Sequence, residues 1–439
     1  MNYSADDFKL DRMRELLRRL GDPQESIPAV HIAGTKGKGS TAALTAQFLS
    51  AAGIRTALFT SPHISAFEER MAVDGTVPTQ RELVELVDRI AGAVADLDKT
   101  PGRMSPTYFE IATAMAWLHF RDRRAEIAVL EVGMGGRLDA TNVCRPQVCV
   151  ITTISRDHTR QLGSSLDQIA REKGGIIKPL VPVISGVTQE PARSVIEEIC
   201  RTQSAPLSLL GRDFDYDYQP AVFEPGACSR PAVDVRLARR AWSNLAIPLV
   251  GEHQARNLAV ALAAVDKLGH HGWSISDLAV TKSLAQLRWP GRIEVLSRAP
   301  TVIVDTAHNW EAVAALLKTL DESFRARRRV LIFAATRDKD VAGMLRQLLP
   351  RFDTVVLTCF QNNPRHVPVE TLVGMAQGLT EQRVHAAGEP AAAWKLARRF
   401  ASPDDLICVT GSFFIAADMR ELIVDAARSE SAVSQAVGP

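Results

Sequence analysis

Apolar positions along the chain follow two rhythms, and their alternation predicts most of the elements. From 8 to 20, Leu10, Met13, Leu16, Leu17 and Leu20 recur at the helical period, and Gly21, Asp22 and Pro23 end the run. The stretch 28–33 is short and almost continuously apolar, as in a strand buried on both faces, whereas 41–52 reads as a helix closed by Gly53. An apolar strand is predicted at 54–59, an amphipathic helix at 79–97 and a largely buried helix at 106–121, where aromatic residues are core material. Strands at 125–132 and 147–154 and a helix at 165–177 continue the alternation. Between 202 and 248, prolines and glycines interrupt short alternating runs, and antiparallel hairpins or loops are expected. Helices return at 251–268 and 276–287.

The break Arg288-Trp-Pro-Gly-Arg292 separates this region from a cleaner series. Strands are predicted at 301–305, 330–335, 354–358 and 406–410, with helices starting near Asn309, Asp340, Val369, Pro390 and Gly411. The fold class is therefore α/β: a larger P-loop domain with a parallel-rich sheet at 1–290, and a smaller Rossmann-like domain at 291–427. The Ser/Ala-rich stretch 428–439 is expected to be disordered.

Candidate chemistry gathers where predicted strands end. Between strand 28–33 and its helix lies Gly34-Thr-Lys-Gly-Lys-Gly-Ser-Thr41. Glycines let successive backbone N–H groups turn toward one anion, the helix N-terminus adds its positive end, and Lys38 adds a mobile charge. A solvated Gly-rich turn is the plain alternative, and the strand–loop–helix context favours phosphate. The usual P-loop carries Ser or Thr after the lysine, for a metal, and here Gly39 stands there. Ser61, just beyond strand 54–59, is the candidate for the missing hydroxyl. Glu131 ends strand 125–132, where a buried carboxylate is expensive unless it faces a cation, either Mg²⁺ or a structural partner. His158 lies just past strand 147–154. Lys173, on helix 165–177, reads from the residues alone as an ordinary solvated lysine. Asp305 and His308 close the first strand of the second series.

Composition narrows the class. A chain of 439 residues exceeds one ordinary core and predicts two or three domains. With 52 basic and 50 acidic residues, nothing calls for nucleic acid or membrane partners, and anion binding must be local. The six cysteines are scattered without metal-ligand spacing and read as reduced filler. No apolar run approaches the ~18 residues of a membrane span, and the first residues lack the pattern of an export signal, so a cytoplasmic protein is expected.

Nine blocks, in order, resemble the folylpolyglutamate synthase and dihydrofolate synthase family, a branch of the Mur-ligase superfamily. They are Gly34–Thr41, Thr60-Ser-Pro-His63, Thr107-Tyr-Phe-Glu110, the run from Glu131 to Asn142, Asp157-His-Thr159, Glu172-Lys-Gly-Gly-Ile176, Gly251-Glu-His-Gln254, Trp289-Pro-Gly-Arg292 and Asp305-Thr-Ala-His-Asn309. The resemblance covers residues 8–425 and implies a Mur-ligase-like fold. Its reaction joins L-glutamate to dihydropteroate or reduced folates: ATP phosphorylates a carboxylate, and the glutamate amine then displaces phosphate. The resemblance further implies two Mg²⁺ ions, with a K⁺ requirement left open, and a monomer. By resemblance, Ser61 and Glu131 hold Mg²⁺ on the ATP phosphates, His158 helps hold a second ion, and Lys173 matches a lysine that is carbamylated into a metal ligand. Lys38, His158 and Lys173 are thus the catalytic candidates. Gly37, Lys38, Gly39, Ser40, Asn257, Arg292, Asp305 and His308 match nucleotide contacts. Thr107, Phe109, Asp139 and Ala140 match pterin contacts. Closure of two domains around ATP is expected as well. Lys36, Arg156 and Trp310 depart from the residues common in the family. The implied activity is bifunctional dihydrofolate and folylpolyglutamate synthesis; folylpolyglutamate synthesis alone, or nucleotide binding without ligation, are the alternatives.

Overall fold

The computed structural model describes residues 10–99, 104–224, 227–361, 363–381 and 383–436. After α1 (Leu10–Arg19), the chain builds a seven-stranded sheet from β1 (Pro28–Ala33), β2 (Thr56–Phe59), β3 (Met71–Val73), β4 (Ile127–Glu131), β5 (Arg145–Ile151), β6 (Val183–Ser185) and β7 (Leu207–Leu209). The spatial order is β3-β2-β4-β1-β5-β6-β7, parallel throughout except for the edge strand β3. Parallel neighbours require crossovers, and these carry α2 (Lys38–Ala51), α3 (Gln80–Asp98), α4 (Tyr108–Asp122), α5 (Thr159–Leu162), α6 (Leu166–Gly174) and α7 (Ala192–Thr202). Capping boxes begin α3 (Thr79 with Glu82), α4 (Thr107 with Glu110) and α6 (Ser165 with Gln168), each cap contributing about 1 kcal/mol.

The order of the strands positions the site. From β1 the chain crosses over β4 to reach β2, and from β4 it crosses back over β1 to reach β5, so the loops after β1, β4 and β5 rise around one crevice at the carboxyl edge. Registers fix the heights: Ile32 lies opposite both Glu131 and Val150, and Phe59 opposite Leu130. One face of the sheet is sealed by Met13, Leu16, Leu17, Phe59, Trp117 and Phe120, and a second cluster packs Ile151, Ile169, Ile176, Val195 and Ile196.

The weakly patterned region is more regular than expected. β7 joins the main sheet as a parallel edge, while β8 (Phe214–Gln219), β9 (Phe223–Glu224), β10 (Ala227–Cys228), β11 (Ala232–Leu237) and β12 (Ala241–Ala246) form a β12-β11-β8 sheet and a β9-β10 pair. Helices α8 (Glu252–Leu268) and α9 (Asp277–Gln286) follow.

The second sheet, in the order β13-β14-β18-β15-β16-β17, contains β13 (Glu294–Arg298), β14 (Thr301–Val304), β15 (Arg329–Phe333), β16 (Thr354–Leu357), β17 (Val384–Ala386) and β18 (Leu406–Thr410). Only β13 runs antiparallel to its neighbour. Its helices are α10 (Trp310–Ser323), α11 (Val341–Leu348), α12 (Val369–Gln377), α13 (Pro390–Phe400) and α14 (Phe413–Ala436). Ile303, Leu331, Phe333 and Cys408 enter one buried cluster, and Val302, Val330, Ile332 and Ile407 the other. Burial on both faces is why these strands read as continuous apolar runs.

Contacts divide the chain into two units: one runs to Asp217 and adds Val233–Ala246 and His253–Leu287, and the other takes Tyr218–Ala232, Ile247–Glu252 and everything from Arg288. The division differs from a single cut at 290/291. Phe223 stacks on Phe324 at 4.5 Å, and the Tyr218 hydroxyl accepts the Gly251 N–H at 3.0 Å, which draws those segments into the second unit. The tail differs too: α14 continues to Ala436, through a stretch free of glycine and proline, where disorder is expected from 428 on; 437–439 lie outside the described residues.

Candidate functional site

The phosphate loop is shaped by backbone first. Gly37 stands at φ 83°, in the left-handed region, so α2 starts at Lys38 rather than at 41. Its first intrahelical bond runs from Thr41 N to Gly37 O at 2.9 Å, which leaves the N–H groups of Lys38, Gly39 and Ser40 as the open first turn. The buried Asn257 covers the loop from α8: a Cβ on Gly37 would lie 2.2 Å from Asn257 Oδ1. Asn257 is itself held by Gln254 at 3.0 Å. On the other side the loop is stitched to the residues after β5. Thr35 N donates to Thr153 O at 2.7 Å, Lys36 N donates to Thr153 Oγ1 at 3.0 Å, and Thr152 Oγ1 donates to Lys36 O at 2.7 Å. Lys38 Nζ curls back to Thr35 O at 3.5 Å.

Glu131 and Ser61 meet as the strand registers require. Glu131 is buried at the end of β4, and its Oε2 accepts the Ser61 N–H at 3.0 Å. A carboxylate with a serine beside it at a phosphate-loop edge fits an Mg²⁺ that arrives on phosphates, because such ions take one or two protein groups and otherwise keep water and phosphate oxygens. An all-protein cage is absent among the described residues, where no group of three or more His, Cys, Asp or Glu is arranged to hold a metal.

Lys173 is not the solvated lysine of the plain reading. Only 4% of it is exposed, and Nζ donates to Gly34 O at 2.9 Å, so α6 is tied to the root of the phosphate loop. Burial, reinforced by the charge of Lys38, pushes its pKa down to about 7. A large share of this amine is therefore neutral near pH 7. Gly136 permits the packing that buries it, since a Cβ there would lie 2.9 Å from the carbonyls of Glu172 and Lys173.

His158 lies just past β5, on the same edge. It sits at φ 50° with a side chain 42% exposed, and its N–H donates to Asp157 Oδ1 at 2.9 Å. The pair of Lys36 with Asp157, at 2.9 Å, joins the loop to this segment. Asp157 escaped the residue-level reading, although its place directly before His158 was the available signal.

The four residues matched to a pterin site divide. The Phe109 ring lies over Gly133, where a Cβ would come within 2.5 Å of its Cζ, and 5.8 Å from the Phe59 ring. Thr107 is the N-cap of α4, with its Oγ1 accepting the Glu110 N–H at 3.3 Å. Asp139 points inward: Oδ1 accepts Thr141 N at 3.0 Å and Thr141 Oγ1 at 2.5 Å, and Oδ2 accepts Met134 N at 2.9 Å. Burial raises its pKa against those bonds, and Ala140 beside it is buried. Asp139 thus pins the Gly-rich loop from within. Thr141 also meets the buried His31 at 2.9 Å, and burial, with the charge of Lys178, pushes that imidazole down to about 3, so it is neutral.

In the second unit, Arg292, Asp305 and His308 form their own cluster. Asp305 Oδ2 accepts Ile293 N at 2.9 Å and Oδ1 accepts Ala307 N at 2.8 Å; burial raises its pKa, and the Arg292 charge opposes that most. Arg292 donates to Thr306 Oγ1 and lies 4.9 Å from the Phe413 ring centre. His308 Nδ1 is 2.9 Å from Thr306 O, and its ring also meets Phe413, at 5.4 Å. Trp310 and Arg156 are both exposed.

Residues 32–265 match the Mur ligase middle domain, and residues 291–413 match the Mur ligase glutamate ligase domain. The chain is 36% identical to a dihydrofolate synthase/folylpolyglutamate synthase of Bacillus subtilis (strain 168) over 341 residues, 77% of this chain and 78% of that protein. Its fold superposes on Mycobacterium tuberculosis folylpolyglutamate synthase complexed with ADP and AMPPCP with a TM-score of 0.87 at 35% identity, covering 95% of each chain. It also superposes on Escherichia coli FolC in complex with DHPP and ADP, with a TM-score of 0.85 at 30% identity, covering 97% of this chain and 95% of that one.

Proposed function

The chain belongs to the folylpolyglutamate synthase/dihydrofolate synthase family of Mur ligases, and from that premise we propose that it is an ATP-dependent ligase joining L-glutamate to dihydropteroate and to reduced folates. A carboxylate oxygen of the acceptor attacks the γ-phosphorus of ATP, ADP leaves, and an acyl phosphate forms. The glutamate amine then attacks the acyl carbon, and the tetrahedral intermediate expels phosphate to leave an amide. The observation that carries this reading is the meeting, at one sheet edge, of the phosphate loop, the Ser61–Glu131 pair and the buried Lys173.

In this reading the N–H groups of Gly37, Lys38, Gly39 and Ser40 and the Lys38 ammonium take the phosphates, with Asn257 bracing the loop. Ser61 and Glu131 would hold Mg²⁺ on the nucleotide, with His158 and a carbamylated Lys173 serving a second ion. Bound there, the metal supplies positive charge to phosphate oxygens as negative charge builds in transfer. Lys173 suits carbamylation because its neutral amine can add to CO₂ with release of one proton. Arg292 and His308 would serve the nucleotide, and Asp305 acts through the backbone it holds. A monomeric state and a cytoplasmic setting complete the proposal, with the K⁺ requirement left open. Six free cysteines accord with a reducing compartment, and no helix among the described residues is long and apolar enough to cross a membrane.

A second reading, folylpolyglutamate synthesis alone, is favoured by one observation. Asp139, the residue that pointed to dihydropteroate, faces inward. An acceptor panel decides. With ATP, Mg²⁺ and L-glutamate, phosphate release is expected with both dihydropteroate and tetrahydrofolate; release with tetrahydrofolate alone selects the narrower enzyme, and release with neither contradicts ligation.

A further inference from the structure

Resting on the ligase reading above, we propose that Lys36 is a positioning residue that sets His158 for turnover by clamping Asp157 between the phosphate loop and the segment after β5. One carboxylate makes both connections. Asp157 Oδ2 accepts from Lys36 Nζ at 2.9 Å, and Oδ1 accepts the N–H of His158 at 2.9 Å. His158 has need of such a hold, because φ 50° and ψ 39° place a residue with a Cβ in the left-handed region, where a chain without local hydrogen bonds rarely stays. The four-residue helix α5 starts immediately after it, so the same backbone angles set the direction of that turn.

Lys36 can hold Asp157 because its own backbone cannot drift. Its N–H donates to Thr153 Oγ1 at 3.0 Å, and its carbonyl accepts from Thr152 Oγ1 at 2.7 Å and Thr153 Oγ1 at 3.1 Å. The Lys36 and Asp157 side chains are 27% and 13% exposed, which screens their attraction less than that of a surface pair. A lysine in a phosphate loop suggests a phosphate contact, yet this one is directed at a carboxylate. Lys38 is left as the mobile charge of the loop, and Lys36 as its brace.

The test uses the full chain and four variants: Lys36→Gln, Asp157→Asn, the double variant and Lys36→Arg. Each single neutral variant is expected to lower kcat about tenfold while the KM for ATP and the calorimetric Kd for AMPPCP stay within about twofold. The Mg²⁺ concentration for half-maximal turnover should rise in both. Because the two residues act as one device, the double variant should be no worse than the poorer single, and Lys36→Arg should return kcat to within about threefold of wild type. Hydrogen exchange adds a readout independent of turnover: amides at 155–162 exchange faster in both neutral variants, while those at 41–48 do not change. A rise of about tenfold in the KM for ATP of Lys36→Gln with kcat unchanged would make Lys36 a phosphate ligand and overturn the proposal. Additive losses in the double variant, or unchanged exchange at 155–162, would overturn it as well. If the wild-type chain releases no phosphate with any acceptor, the ligase reading fails, and the exchange comparison still decides whether the clamp exists.

Discussion

The two sheets of this protein present their carboxyl edges in different ways. In the first unit, ionisable groups come from separate strands and helices: Lys38 after β1, Glu131 at the end of β4, His158 after β5 and Lys173 from α6. Each is placed by its own element, and Lys173 is buried at the expense of its charge. In the second unit the ionisable cluster belongs to one strand end and its flank, and its carboxylate is occupied by the backbone N–H groups of Ile293 and Ala307. The contrast separates two ways of holding a buried ionisable group: Lys173 meets the backbone at the one carbonyl of Gly34, whereas Asp305 gives an oxygen to each of two backbone N–H groups.

Substitutions break this comparison in order of size. Lys173→Ala should lower kcat by about 100-fold or more, with partial recovery when short carboxylic acids are added to fill the metal site; unchanged turnover would remove Lys173 from catalysis. Glu131→Gln should lower kcat by roughly 10- to 30-fold and raise the Mg²⁺ requirement, with the melting temperature nearly unchanged. A loss of folding instead would class Glu131 with Asp305, as a carboxylate that holds the backbone.

Acidity offers a third break. His31 titrates near 3 in the folded chain, against an ordinary value of 6.5. Between those values the unfolded chain binds the extra proton, so stability falls as pH drops through that window and is unaffected by this group above it. The loss should reach roughly 1–2 kcal/mol by pH 5, and His31→Gln should flatten that part of a pH series of chemical denaturation. Equal slopes in the two proteins would mean that the buried imidazole does not carry the effect. The smallest effect is expected in the second unit. Asp305→Asn should destabilise it by about 1 kcal/mol, visible in the melting temperature, while kcat changes less than it does for Glu131→Gln.

Both edges are legible in the sequence where they are assembled at element ends, which local pattern marks well. The Gly-rich loop, Ser61 and Glu131 each follow an apolar run, and the registers then bring Ser61 to Glu131 at 3.0 Å. Orientation was less legible. Asp139 follows a glycine run and reads as an open loop, yet donors from Met134 and Thr141 turn it inward. Lys173 reads as solvated because nothing nearby in the sequence announces the carbonyl of Gly34, which lies far from it along the chain. The composite second unit was hidden for the same reason: only the folded chain brings Phe223 onto Phe324. The strands β6 and β17 are only three residues long, too short for periodicity to register.

The most direct test follows one oxygen atom. When the acceptor carboxylate carries ¹⁸O and the reaction runs with ATP, Mg²⁺ and L-glutamate, the released phosphate should contain one ¹⁸O for each amide formed, since the acyl phosphate passes that oxygen to phosphorus. Phosphate free of label, alongside amide product, would contradict the acyl-phosphate route on which the account rests.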